Sequence, residues 1–232
     1  MEKPVCVVVG VGPGNGASIA HRFAAGGHSV ALLARSTTFT ADLARQIDAR
    51  AYVCDVTSEG EIAACFARIQ EELGDPEILV YNAGSGVWGD VESITPAVFE
   101  AAWRVNALGT LLAAKQVIPA MKRHGGGAII LVGATASRRG VARTAAFAPA
   151  KAAQRSLAES MARHLWPAGI HVALVVVDGV VDLERTRAAM PDKPDEFFVK
   201  PEDVAATVHW LSQQPRSAWA FEVEARPFGE TW

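Results

Sequence analysis

The stretch VCVVVGVGPGNGASIA, residues 5–20, decides how the rest of the chain is read. Residues 5–9 are five apolar positions with no polar alternation, the pattern of a strand covered on both faces. Glycines crowd the next seven positions, GVGPGNG at 10–16, and a helically periodic run at 18–25 comes after them. A strand therefore turns sharply into a helix through residues that let backbone approach a ligand closely. The N-terminus of such a helix carries unpaired N–H groups that suit an anion. A glycine-rich string by itself is weak evidence, because any tight turn favours glycine.

The remainder of the chain gives that string its weight. Further β-rich runs appear as SVALLA (29–34), AYVC (51–54), EILVY (77–81), AIILV (128–132), HVALVVV (171–177) and FEVEA (221–225). Helical periodicity fills 38–47, 58–73, 95–122, 145–166 and 201–212, several of these opening on Ser, Thr or Pro, which cap or start helices. This alternation predicts an α/β fold: one Rossmann-type, doubly wound parallel sheet of about seven strands with helices on both faces. No linker or composition break divides residues 1–232, which read as a single domain. The one long stretch without clear periodicity, 178–200, is expected to be a substrate loop, with a disordered excursion as the alternative. FEVEA reads as an edge strand, followed by a tail whose last residue, Trp232, could reach a neighbouring subunit.

Composition narrows the function classes. Half of the 232 residues are hydrophobic, enough for a substantial core. Lys plus Arg number 22 against 25 Asp plus Glu, without runs of like charge, so neither nucleic acid nor a membrane surface is an expected partner. No apolar run has the length of a membrane span. Cys6, Cys54 and Cys65 form no CxxC pair and are odd in number, which points to a reducing, cytoplasmic setting. His21, His28, His124, His164, His171 and His209 are not clustered in sequence, and no metal is expected.

The glycines Gly10, Gly14 and Gly16, with Asn15 among them, have the spacing GxxxGxG. With that spacing at the first strand-to-helix turn, the chain resembles the short-chain dehydrogenase/reductase family, in motifs that run in order from about residue 4 to residue 183. The resemblance implies a dinucleotide whose pyrophosphate sits on the glycine turn. After the second strand, NAD-preferring members of the family carry an acid, where this chain reads Leu33, Ala34, Arg35, Ser36. A guanidinium attracts a 2′-phosphate that a carboxylate would repel, so NADP(H) is the expected cofactor; the alternative is that Arg35 is a solvated strand end. Asp55 and Val56 are similar to the family's pair that meets the adenine, although Asp55 could instead cap the next helix. Asn82, Ala83 and Gly84 keep the family's Asn-Asn-Ala-Gly turn, with Tyr81 as a packing substitution at its first position. Asn106, in the run Trp103, Arg104, Val105, Asn106, falls where the family has a catalytically important asparagine.

In this family a tyrosine hydroxyl exchanges a proton with the substrate oxygen, a lysine four residues on lowers its pKa and binds ribose, and a serine thirteen residues before it holds the same oxygen. In FAPAKAAQRS (147–156) the tyrosine position is Phe147 and the lysine is Lys151, one turn apart on a shared helix face. Counting back from Phe147 reaches Ala134 in LVGATAS (131–137). Lys151 is then left to hold the nicotinamide ribose. Asp178, at the end of the sixth strand, is the candidate substitute acid if burial raises its pKa. Thr135 and Ser137 are nearby loop hydroxyls. These residues imply an NADP(H)-dependent oxidoreductase with an atypical site, acting on a small carbonyl or an activated C=C or C=N bond. Two other readings stand beside it: a non-catalytic NADP-binding sensor or scaffold, and a fold kept only as an interaction module. The resemblance also implies a homodimer or homotetramer through the long fourth and fifth helices. The substrate pocket is expected from 178–200 and from SGVWGDVESIT (85–95), with Trp88 as an apolar wall.

Overall fold

Successive residues of β1 (Val5–Val9) go to opposite sides of the sheet: Val5, Val7 and Val9 join one core cluster, Cys6 and Val8 the other. That division follows from the period of two along a strand, and it explains why the run carries no polar residue. The computed structural model describes residues 3–230; Trp232 and its reach to a neighbour lie outside the described residues.

After β1 come α1 (Asn15–Ala25), β2 (Ser29–Ala34), α2 (Thr40–Ile47), β3 (Arg50–Val53), α3 (Glu59–Leu73) and β4 (Pro76–Tyr81). The second half continues with α4 (Pro96–Trp103), α5 (Gly109–Arg123), β5 (Gly127–Ala134), α6 (Phe147–Leu165) and β6 (Ile170–Val177). It ends with β7 (Val180–Val181), α7 (Glu184–Ala189), β8 (Phe198–Val199), α8 (Pro201–Ser212) and β9 (Glu222–Ala225). The main sheet has seven strands, all parallel, in the order β3-β2-β1-β4-β5-β6-β9. One face is covered by α3, α5 and α6 through residues such as Phe66, Val117 and Met161, the other by α1, α2 and α8 through Phe23, Leu43 and Val208. Side chains as fully buried as Ile129 and Ile130 each contribute about 1.5–3 kcal/mol. Because the chain winds outward from β1 in both directions, the crevice between β1 and β4 opens at their C-terminal ends, the switch point at which open α/β sheets bind ligands.

The predicted helix starts hold at Ser58, whose Oγ accepts from Glu61 N, at Thr95, whose Oγ1 accepts from Val98 N, and at Pro201, the first residue of α8. The predicted 95–122 helix is instead two helices joined by a π-helical turn, Arg104–Leu108. Side chains compete there with the helix ladder. Tyr81 Oη donates to Val105 O at 2.5 Å, Thr110 Oγ1 donates to Asn106 O at 2.7 Å, and Asn106 Nδ2 donates to Ala102 O at 2.9 Å. Tyr81 is thus more than packing: its hydroxyl takes a carbonyl of the turn.

Residues 178–200 are ordered rather than aperiodic. β7 pairs in parallel with β8, and Asp182 gathers Arg187 and Lys200, each at 2.6 Å, so ion pairs organise a segment that carries no helical or strand period in sequence. β9 forms one edge of the main sheet, where Glu222 and Glu224 pair with Arg138, and Glu222 also with Arg155 at 2.5 Å. At the other edge, Arg50 of β3 meets Glu72 at 2.9 Å.

Candidate active site

Gly10 and Gly14 have φ of 85° and 115°, a backbone region that side chains disfavour. A Cβ on Gly10 would also strike the backbone of Ala83, and one on Gly16 would lie 2.7 Å from Gly10 O. Asn82 props the turn: its Nδ2 donates to Gly10 O at 2.8 Å and its backbone N to Val9 O at 2.9 Å. From the other side, Gly10 N and Val11 N both donate to Leu33 O. No side chain caps α1 at its first turn, and Asn15 Oδ1 is buried without a partner. The result is a rigid backbone cradle at a bare helix N-terminus, the donor set that suits a pyrophosphate. The side chain of Leu183, just after β7, rests on Gly14.

Along the rim, Arg35 and Ser36 are exposed at the end of β2. Asp55 accepts from both the backbone N and the hydroxyl of Thr57, each at 2.8 Å. Those bonds, the backbone one first, hold its carboxyl below the usual range, with Arg35 and Arg104 adding to the effect. Since Ser58 caps α3, Asp55 closes the preceding turn instead of capping the helix. Val56 beside it is buried. A cation, a carboxylate and a buried apolar side chain thus lie together at one end of the crevice.

At the other end, Lys151 and Asn106 converge on Gly84: a Cβ there would lie 3.6 Å from Lys151 Nζ and 3.3 Å from Asn106 Oδ1. Lys151 is only 5% exposed, and burial alone lowers its pKa to about 8. Its Nζ donates to Val132 O at 3.0 Å and to Gln154 Oε1 at 2.9 Å. Gln154 Nε2 continues to Thr110 Oγ1 at 3.1 Å, and Thr110 to Asn106 O. Asn106 Oδ1 is buried without a partner. Phe147 opens α6 half-buried, its ring centroid 6.1 Å from that of exposed Trp88, and Ala134 closes β5.

The expectation for Asp178 is corrected. It is buried, which pushes its pKa up, but Thr135 Oγ1 donates to it and Arg226 forms an ion pair with it. Together these outweigh burial and hold the carboxyl below the usual range, so it is an ionised acceptor at neutral pH and not a proton-loaded acid. Arg226 comes from the segment after β9, 48 residues away, which no local spacing reveals. Gln154 was also missed in sequence, although its position three residues after Lys151 puts it on the same helix face. Among the described residues, no group of three or more His, Cys, Asp or Glu could hold a metal ion, and no helix is long and apolar enough to cross a membrane.

Known proteins are similar to this chain in sequence and fold. The sequence profile described as "short chain dehydrogenase" matches residues 4–193. A 3-oxoacyl-[acyl-carrier-protein] reductase of Mycobacterium bovis is 30% identical over 219 residues, covering 91% of this chain and 86% of the relative. A D-xylose 1-dehydrogenase of Caulobacter vibrioides is 30% identical over 224 residues, covering 91% and 89%. The crystal structure of a metagenomic short-chain oxidoreductase in complex with NADP superimposes with a TM-score of 0.84 at 29% identity, over 98% of each chain. With a parallel seven-stranded sheet, a glycine cradle at its switch point and this match over most of its length, the chain belongs to the short-chain dehydrogenase family of oxidoreductases.

Proposed function

We propose that the chain is an NADP(H)-dependent oxidoreductase in which Phe147 and Ala134 stand where the family's proton-donating tyrosine and substrate-holding serine would be. The observation that carries this reading is the cradle of Gly10, Gly14 and Asn82 leading to Lys151 and Asn106, with Phe147 heading the lysine's helix. Arg35 would hold the 2′-phosphate, Asp55 and Val56 the adenine, α1's first turn with Asn15 and Gly16 the pyrophosphate, and Lys151 the nicotinamide ribose. NADP(H) supplies the hydride when bound. The protein's contribution is to hold donor and acceptor together, worth about 7–11 kcal/mol, while a positioned acid, worth about 10²–10⁴ in rate, is not furnished by Phe147. Phe147 and Trp88 provide an apolar wall. Such a site favours substrates whose protonation proceeds through solvent, such as activated C=C or C=N bonds, over ordinary ketones. The reductase and the D-xylose dehydrogenase above differ in what their names say they act on, so assay decides the substrate within this class.

The test combines NADPH and NADH titration by thermal shift with a hydride-transfer assay against ketones, enones and imines. Preferential stabilisation by NADPH with turnover of enones or imines is the expected result. Binding without turnover on every class would favour a sensor or scaffold, and no shift with either cofactor would overturn the reading.

A further inference from the structure

Lys151 is a buried ammonium-bearing side chain, and burial lowers its pKa to about 8. Two hydrogen bonds hold its Nζ. One goes to a backbone carbonyl, Val132 O, and the other to Gln154 Oε1, so Gln154 is the only side chain in the pair. Gln154 is itself 0% exposed, and a buried amide is tolerated where both of its ends are bonded.

The chemistry of the groups fixes the direction of every bond. An ammonium only donates, so it must face the amide oxygen of Gln154. That leaves Nε2 to donate to Thr110 Oγ1, and the hydroxyl donates to Asn106 O, because a carbonyl oxygen only accepts. The chain Lys151, Gln154, Thr110, Asn106 therefore has one polarity, and it runs from α6 to the π-helical turn that carries Asn106. The same turn is held from the sheet by Tyr81.

We infer that Gln154 is a positioning residue for Lys151: its amide fixes the ammonium on the core side and couples it through Thr110 to the backbone of Asn106. The role rests on the proposed function, because it presumes that Lys151 serves the cofactor end of the crevice. Of the three ammonium donors, Val132 and Gln154 take two and leave one for a ribose hydroxyl. A hydrogen bond made by the charged form favours that form, so the Gln154 amide oxygen also helps Lys151 keep its charge.

The experiment follows the Lys151 side chain directly, by a pH titration of ¹³Cε-lysine resonances in the full chain without cofactor, assigned with Lys151→Met. Gln154→Glu puts a carboxylate beside the ammonium and should raise the midpoint by about 1–3 units. Gln154→Met removes an acceptor from the charged form and should lower it by about one unit or more. Thr110→Val, which loosens the amide from outside, should give a smaller downward shift and serves if Gln154→Met does not fold. The same midpoint in the wild type, Gln154→Glu and either downward variant would overturn the inference. NADPH affinity measured against pH in the same proteins separates the two readings. If affinity breaks with the lysine midpoint and follows it in the variants, both stand. If NADPH binds while the midpoint does not move, the role of Gln154 falls alone. If the midpoint moves but NADPH does not bind the wild type, the coupling stands and the proposed function falls.

Discussion

The glycine turn at 10–16 and the lysine pocket at 147–154 lie at one end of the same sheet, yet they are built from different material. The turn is backbone: Gly10 and Gly14 adopt positive φ, and a Cβ at Gly10 or Gly16 meets main chain at once. The pocket is side chain: Phe147 opens α6 and Ala134 closes β5 without disturbing helix or strand. A backbone site resists change because every substitution is felt by the fold. A side-chain site can lose a hydroxyl and keep its architecture, so the same fold carries altered chemistry.

The sharpest way to press that contrast is to rebuild the pocket. Phe147→Tyr with Ala134→Ser should raise ketone reduction by about 10²–10⁴ while leaving the thermal midpoint near that of the wild type, measured by NADPH oxidation with a ketone panel. No gain would mean that these positions do not face the reacting atoms. At the rim, Arg35→Ala should weaken NADPH binding by about 1.5–3 kcal/mol and leave NADH binding nearly unchanged, read by calorimetry. Equal losses for both cofactors would remove the 2′-phosphate from the assignment. In the turn, Gly10→Ala should cost about 1–3 kcal/mol in denaturant unfolding and reduce binding of both cofactors together.

The last effect concerns pH. Lys151 has a folded-state pKa lowered to about 8 by burial, below its ordinary value of 10.5, so between those values the unfolded chain holds a proton that the folded chain lacks. Stability should therefore rise with pH across that window, by at most about 1.4 kcal/mol per unit, and be flat for this group below it. Lys151→Met should remove that slope from urea-unfolding curves taken between the two values. An unchanged slope would assign it to another group.

The two regions also differ in how much of them can be read in the sequence. The strand, the glycines and the helix of residues 5–25 are contiguous, so their physics is written in neighbouring letters. The doubly wound sheet is legible for the same reason: each inner strand reports its own double-sided burial. The lysine pocket draws on α5, the π-helical turn, α6 and β5, and its partners are chosen in three dimensions. Asp178 illustrates the limit, since its charge state is decided by Thr135 and Arg226, neither adjacent to it in the chain. Gln154 and Lys151 are neighbours by helical period, but the hydroxyl of Thr110 that fixes the amide is 44 residues distant. The π-helical turn was illegible because side-chain competition for carbonyls leaves no periodic mark.

Both margins of the main sheet end in short strands, four residues each, and both carry ion-paired charge: Arg50 with Glu72 at β3, Glu222 and Glu224 with Arg138 and Arg155 at β9. An unpaired strand edge is a template on which another chain can add, and short length with charge is the usual defence. A long apolar ladder such as β5 or β6, exposed at a margin, would invite fibrillar stacking. Here those ladders lie inside the sheet and the margins are brief and charged, so strand addition is discouraged at either end, and a crowded solution of this protein is protected where an open sheet is most vulnerable.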